Sequence, residues 1–501
     1  MEVNPYVHEL SLEHVAVILD PSGDAAVAVV NYTPVHILLH ALAWQAFQGD
    51  VRGHHLVNLL FHVTASVLLI ALLLRSGVPK AGAVFGGALF LLHPANVEAV
   101  AWISQLKSSS SMTFALAALL AFRRRPGLGS ALFALALLAK PTAAFALPVA
   151  VLLGWAGGER PPWRWFALCA ALFVAYAVVE FTAHQRSGAA EAALYETPLV
   201  LVRTVAAFAM RYLVMATTTL GLSAFHEPEP AQSPLDPWWL GSLAALGLLG
   251  WRFAVVLRRR APEAAYWAWA LISFGPVSQV FPFLYPLADR YLYFILPGLI
   301  GGALLAGAEV LERLPRAIAA RRGAAPRDWA PRVSRVAAAL GIAALALCAV
   351  RANGRAAVWH SDAALVADAA ANYPDGVSAH LQRGRRAAQY GDVDAAVASV
   401  RAAAARGYNR FDQLQLDPGF APVRDHLKFR AVVREIAGRR IELTGQIEDP
   451  TPFELRVIAA AHFVRGEYAQ AAIALERAIA LGGPLDATLR AELKAVQSHM
   501  E

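Results

Sequence analysis

Cysteine and charge are what this chain has least of. Its two cysteines, Cys169 and Cys348, lie in separate apolar runs of a 501-residue sequence, which excludes a disulfide framework and a cysteine-based metal site. Charged residues amount to 16% against 57% hydrophobic, and mean hydropathy is +0.45. That balance excludes an ordinary soluble globular protein and calls for many membrane spans. The opening MEVNPYVHELSLEHVAVILDPSGD also lacks a basic region followed by an apolar core, so it does not read as a secretory signal. The net charge of +7 does not point to nucleic acid as a partner. The basic residues sit between apolar segments, at Arg123 to Arg125, Arg258 to Arg260 and 313–335, where the positive-inside rule puts them.

What is present predicts an all-α chain in three parts. An outer-face N-terminal loop and juxtamembrane helix occupy 1–53, a polytopic membrane helical bundle 54–352, and a soluble helical domain 353–501. Residues 32–49, with His36, His40 and Gln45 among apolar neighbours, suit a helix lying in the interface. About ten spans follow, at 54–75, 80–93, 110–122, 127–139, 142–157, 164–184, 237–257, 264–284, 293–312 and 334–351. Several are shorter than the ~20 residues of a full crossing, so their polar ends dip into the bilayer. The segment 199–222 is apolar but carries Arg203 and Arg211. If Arg75, Lys80 and the basic clusters all face the cytoplasm, the spans alternate only when this segment fails to cross fully or dips in and returns. Both termini then share the non-cytoplasmic face with the loops of Glu98 and Lys140, the connection around Glu191 and Glu196, and the Asp289 turn. An outside N-terminus with no helix before it leads us to expect that an upstream helix is missing from this chain.

The polar chemistry concentrates in a few places. HPANVEAVAWISQLK, residues 93–107, sets a histidine, a carboxylate, an indole and a cation between two apolar runs, where polar groups mark function. The plainer alternative is that Pro94 ends one helix, Asn96 caps the next and Glu98 complements its dipole. HHLVNLLFH, residues 54–62, puts His55, Asn58 and His62 on one helical face, better suited to hydrogen bonding between helices than to a metal. Lys140 in LLAKPTA either snorkels to headgroups or binds an anion. In PLADRYLY, residues 286–293, Arg290 can pair with a lipid phosphate at the depth that Tyr285, Tyr291 and Tyr293 favour. A structural Asp289–Arg290 pair is the alternative there.

In the last third, GDVDAAVASVRAAAARGY (391–408) aligns with GEYAQAAIALERAIALGG (466–483), superposing Gly391 on Gly466, Ala396 on Ala471 and Ala403 on Ala478. With Gly384 before the first copy and Pro484 after the second, these match the small-residue positions of tetratricopeptide hairpins, with a degenerate stretch at 420–443 between them. An alanine-rich helical cap is the alternative.

NYTP, HHLVNLLFH, HPANVEAVAW, Lys107, LLAKP and DRYLY, in that order and ahead of the repeats, resemble the transmembrane and tetratricopeptide-repeat O-mannosyltransferases and their bacterial relatives, integral-membrane glycosyltransferases of the C superfamily. The resemblance implies transfer of a sugar, mannose in the family, from a polyprenyl-phosphate donor to a hydroxyl acceptor such as a protein Ser or Thr. It implies a site and repeats on the lumenal or periplasmic side, and for a bacterial member the inner membrane. On that reading Glu98 and Asp289 orient or assist catalysis, and Arg290 binds the lipid phosphate with Lys107 or Lys140 second. His93 and Tyr291 complete the substrate-binding set, no residue is assigned to a metal, and the need for a divalent ion stays open. The family's acidic pair in the first outer loop has no counterpart here, Asp20 and Asp24 being differently placed. A membrane scaffold that binds proteins through 353–501 is therefore the competing function. A transporter is disfavoured, because the polar residues gather at one face rather than near mid-bilayer.

Overall fold

The computed structural model describes residues 5–8, 10–21, 25, 31–186, 197–280, 285–322, 325–445, 447, 450–482 and 485–500. Asp24, Glu191, Glu196 and Pro484 lie outside the described residues. Among those described, every regular element is helical. Among the described residues two α-helices precede the bundle, α1 (Leu12–Leu19) and α2 (Pro34–Phe47); Pro34 occupies the first turn of α2, where its missing N–H costs nothing. The bundle comprises α3 (Val51–Arg75), α4 (Lys80–Leu92), the short α5 (Val97–Ala101), α6 (Leu106–Ala121), α7 (Pro126–Ala139), α8 (Ala146–Ala156) and α9 (Trp163–Arg186). It continues with α10 (Pro198–Thr218), α11 (Pro237–Arg258), α12 (Glu263–Phe274), α13 (Leu292–Arg322) and α14 (Pro326–Val358).

Six described stretches are long and apolar enough to cross a membrane: Val51–Arg75, Trp163–Ala183, Pro198–Thr218, Pro237–Arg258, Asp289–Arg322 and Trp329–Val358. A seventh forms if α4 is joined to Pro94–Ala101 across a 46° bend. Several boundaries differ from those expected, three of them with a plain cause or consequence. α6 starts at Leu106 rather than 110, because Ser108 to Ser111 turn their hydroxyls to carbonyls and to neighbouring side chains and can stay inside a helix. α12 stops at Phe274, short of 284, as Gly275 and Pro276 tighten the chain into a 3-10 turn. α14 runs through 353 to Val358, so the change of composition falls within a helix.

The basic clusters collect at one end of the bundle. Arg75 donates to the Leu120 carbonyl, Arg123 pairs with Glu159, and Arg260 lies over Trp155. There Arg252 bridges Glu263 and Glu309, both at 2.6 Å. Glu98, Lys140, Asp289 and Arg290 gather at the opposite end. α10 is unbroken over 21 residues, so of the two expectations for 199–222 the segment does not dip in and return, and failing to cross fully is the one left. Its contacts lie toward the Glu98 end: Ala216 O accepts from His93, Thr218 O from Arg351, and Arg211 covers Trp238 beside the N-cap of α11.

Close packing sets the geometry of the core. A Cβ on Gly298 would stand 2.6 Å from the Ala270 nitrogen and 2.7 Å from the Tyr266 carbonyl, so α12 and α13 meet backbone to backbone. Phe145 stacks on Trp269 at 4.5 Å, with Tyr293 and Phe294 buried alongside.

After the bundle come α15 (Asp362–Asn372), α16 (Val377–Gln389), α17 (Val393–Ala405), α18 (Phe411–Leu416), α19 (Leu427–Thr444), α20 (Pro452–Arg465), α21 (Tyr468–Leu481) and α22 (Asp486–Gln497). α16 with α17 and α20 with α21 form two hairpins, turning at Gly391 (φ +73°) and Gly466 (φ +82°), where a side chain would be strained. Ala396, Ala403, Ala471 and Ala478 are fully buried in them, as their superposition requires.

Candidate functional site

HPANVEAVAWISQLK folds as α5 between two 3-10 turns, Pro94–Asn96 and Ile103–Gln105. Pro94 does end α4, but the cap is His93 and not Asn96: the His93 Nδ1 accepts from the Ala95 N–H at 3.2 Å. Asn96 already has helical φ and ψ, so its side chain reaches back and donates to the Phe90 carbonyl at 2.6 Å. With Nδ1 accepting, His93 Nε2 carries the proton and donates to Ala216 O at 3.1 Å. Both His93 nitrogens thus hold the scaffold.

Glu98 does more than complement a dipole. It is 2% exposed; Oε2 accepts the Arg290 backbone N–H at 2.8 Å and Oε1 takes the guanidinium, from a residue 192 positions away. Tyr285, Tyr291 and Trp102 surround that guanidinium with ring centroids at 4.5, 4.9 and 5.3 Å, and Trp102 stacks on Trp359. Charge pairing and cation–π contact together compensate the desolvation of the arginine.

Asp289 does not pair with Arg290. Its Oδ1 accepts from His226 Nε2 at 2.7 Å and from the Ser223 N–H at 3.2 Å, and Oδ2 faces Arg355 at 3.4 Å. Arg355 also binds Asp368, whose other oxygen accepts the Ala224 N–H at 2.8 Å. The His226 Nδ1 stands 2.9 Å from the Tyr373 hydroxyl. Burial pushes the Tyr373 phenol up to about 12, so it remains protonated and donates to that nitrogen. Asp289 therefore fastens the loop before α11, the end of α14 and α15 to the start of α13, with both oxygens engaged.

The lysines behave differently. Lys140 Nζ donates to Ser108 Oγ at 2.8 Å and lies 5.1 Å from the Phe294 ring centre, while Ser108 donates to Gln105 Oε1 at 2.8 Å. Lys107, half-buried at the start of α6, and Lys140 have no carboxylate partner among the described residues. The charges of Lys107, Lys140 and Arg290 act on one another, with Glu180 acting on Lys107 and Glu98 on Lys140 from beyond ion-pair distance.

α3 supports the arrangement through hydrogen bonds between helices. Asn58 Nδ2 donates to Val100 O at 2.8 Å and Ala99 O at 3.2 Å, and His62 binds the Tyr293 hydroxyl at 2.9 Å and Leu91 O at 3.2 Å. The buried polar row is His54, Asn58 and His62 rather than one starting at His55, since the inward face follows an i, i+4 row. His55 instead lines an open cleft of about 460 Å³ with Ala101, Ala356, Ala357, Trp359 and His360. His226, Arg355, Asp368 and Tyr373 were not readable from the sequence; HEPEP at 226–230 was the one local sign, a polar run between apolar segments.

No family model matches the chain, and no solved structure does. A stretch of 95 residues, 19% of the chain, is 35% identical to Protein O-mannosyl-transferase Tmtc1 of Drosophila melanogaster. The matched part spans 11% of that protein's length.

Proposed function

We propose that this chain is an integral-membrane glycosyltransferase that moves a sugar from a polyprenyl-phosphate donor to a hydroxyl acceptor. The observation that carries the reading is the charge at the Glu98 end: two lysines, Lys107 and Lys140, with no carboxylate in ion-pair contact among the described residues, beside the buried Arg290–Glu98 pair. A phosphate is the natural counter-ion for such a cluster at the edge of a bilayer. The partial likeness to a protein named as an O-mannosyl-transferase supports the same reaction class.

On this reading the acceptor oxygen bonds to the anomeric carbon as the bond to the lipid phosphate breaks, and the fixed cations stabilise the charge that develops on the leaving group. Lys107 and Lys140 hold the phosphate, and Arg290 adds its field, kept in place by Glu98 and the aromatic rings. The acceptor enters through the cleft beside Trp359, where His55 and His360 can take its proton. Asp289 is a positioning residue. α3, α4, α6 to α9 and α11 to α14 make ten crossings between the basic end, which faces the cytoplasm, and the Glu98 end, which faces the periplasm or lumen. α10 lies along that outer face. The two hairpins, read as tetratricopeptide-like, stand on the acceptor side and suit a protein substrate.

The test is transfer of labelled sugar from polyprenyl-phosphate donors in membranes carrying the wild type or Lys107→Met. Loss of about 10²-fold is the expected result, the scale of removing one transition-state electrostatic contact. Equal transfer by the two would overturn the assignment.

A further inference from the structure

Two buried histidines lie outside everything assigned so far. His36 and His40 sit one turn apart on α2, 8% and 4% exposed, with rings in edge contact at 4.5 Å. His36 Nδ1 and both ring nitrogens of His40 have no hydrogen-bond partner among the described residues. A buried imidazole always has at least one N–H to satisfy, so His40, with neither nitrogen partnered, is unusual without a ligand, and the bare Nδ1 of His36 lies beside it. Their surroundings define its sign. α2 packs on α6 and α7, and the charges of Lys107 and Lys140 reach His36, that of Lys107 also His40. A cation placed here would meet two ammonium groups, and no group of three metal-ligating side chains exists among the described residues. An anion satisfies the imidazole N–H groups and the lysines at once.

We propose that His36 and His40 of α2, with Lys107 and Lys140, form a subsite for the phosphate monoester of a prenyl lipid. The inference rests on the transferase reading for its lipid and goes beyond it in assigning α2 to the prenyl phosphate monoester that remains when the sugar has left the donor. The lipid-borne source is favoured over free phosphate by what adjoins the histidines. α2 itself is apolar and leaves Leu42 exposed, and the neighbouring α3 exposes Leu56, Leu59, Leu60, Val63 and Val67, a surface on which an isoprenoid tail can lie.

The experiment is equilibrium binding of labelled farnesyl phosphate to the full chain in maltoside micelles. Farnesol and inorganic phosphate serve as competitors. Wild type should bind farnesyl phosphate with no displacement by equimolar farnesol, and the His36→Phe/His40→Phe variant, which keeps ring volume but removes the nitrogens, should bind about tenfold more weakly. A monodisperse double variant with wild-type affinity, or displacement by farnesol, overturns the subsite. Displacement by equimolar inorganic phosphate overturns the lipid assignment. Should the double variant not fold, His40→Gln, which keeps a donor, is compared with His40→Phe: a clear difference in favour of Gln is expected, and parity overturns the proposal. Because no sugar moves in this assay, a chain that binds farnesyl phosphate but transfers nothing overturns the transferase alone. Transfer with unchanged affinity in the double variant overturns the subsite alone.

Discussion

Removing one partner of the Glu98–Arg290 pair should cost far more than removing both. Glu98→Ala leaves a guanidinium that is only 7% exposed without its counter-charge, and its backbone N–H without an acceptor. Breaking a buried ion pair in this way costs about 3–5 kcal/mol. Trp102, Tyr285 and Tyr291 remain around the guanidinium in both forms and so do not cancel the loss. Glu98→Gln keeps an acceptor for the N–H but loses the charge, and should cost about 1.5–3 kcal/mol, the range of one charged hydrogen bond. Glu98→Leu combined with Arg290→Met replaces the pair by apolar volume and should recover most of the loss. The measurement is a double-mutant cycle on unfolding midpoints in mixed dodecyl sulfate and maltoside micelles. A coupling energy of about 2 kcal/mol or more is expected; additivity within ~0.5 kcal/mol would mean that the two groups do not compensate each other, and would refute the reasoning.

Other perturbations read other parts of the fold. Tyr373→Phe takes the donor from His226 Nδ1 and should cost about 1–3 kcal/mol. Hydrogen exchange should then quicken in 219–228 and α15 and not in α20 or α21; uniform protection would show that the Asp289 network does not hold these segments together. Gly298→Ala forces a methyl against the α12 backbone and should destabilise by about 1–3 kcal/mol, whereas Gly307→Ala, with nothing within 4 Å of its added methyl, should be close to neutral. Equal midpoints for the two glycine variants would refute the close approach.

Helix class and the gathering of basic residues at one end were legible because both are local: apolar run length and the arginines between runs. The role of Asn58 and His62 was legible for the same reason, since polar groups on one face of an apolar helix must find partners on the next. The site itself was readable only in part. HPANVEAVAW marks Glu98, but nothing near it in the sequence marks Arg290 as its partner, and adjacency misleads for Asp289 and Arg290, which a 3-10 turn sends to different partners. His36 and His40 read as polar residues on an interfacial helix until packing on α6 and α7 brought them within reach of the lysines' charges.

The Asp289 network also orders events in time. Its carboxylate lies in the 3-10 turn before α13, yet Arg355, Asp368 and Tyr373, which neutralise it or complete its histidine, leave the ribosome at least 66 residues later. Synthesis proceeds from the N-terminus, so for that interval Asp289 has only His226 and the Ser223 N–H. Glu98 can hold the Arg290 side of the turn from the start, but its Asp289 side is neutralised only once α15 has followed the bundle out, making completion of this end a late step in the birth of the protein.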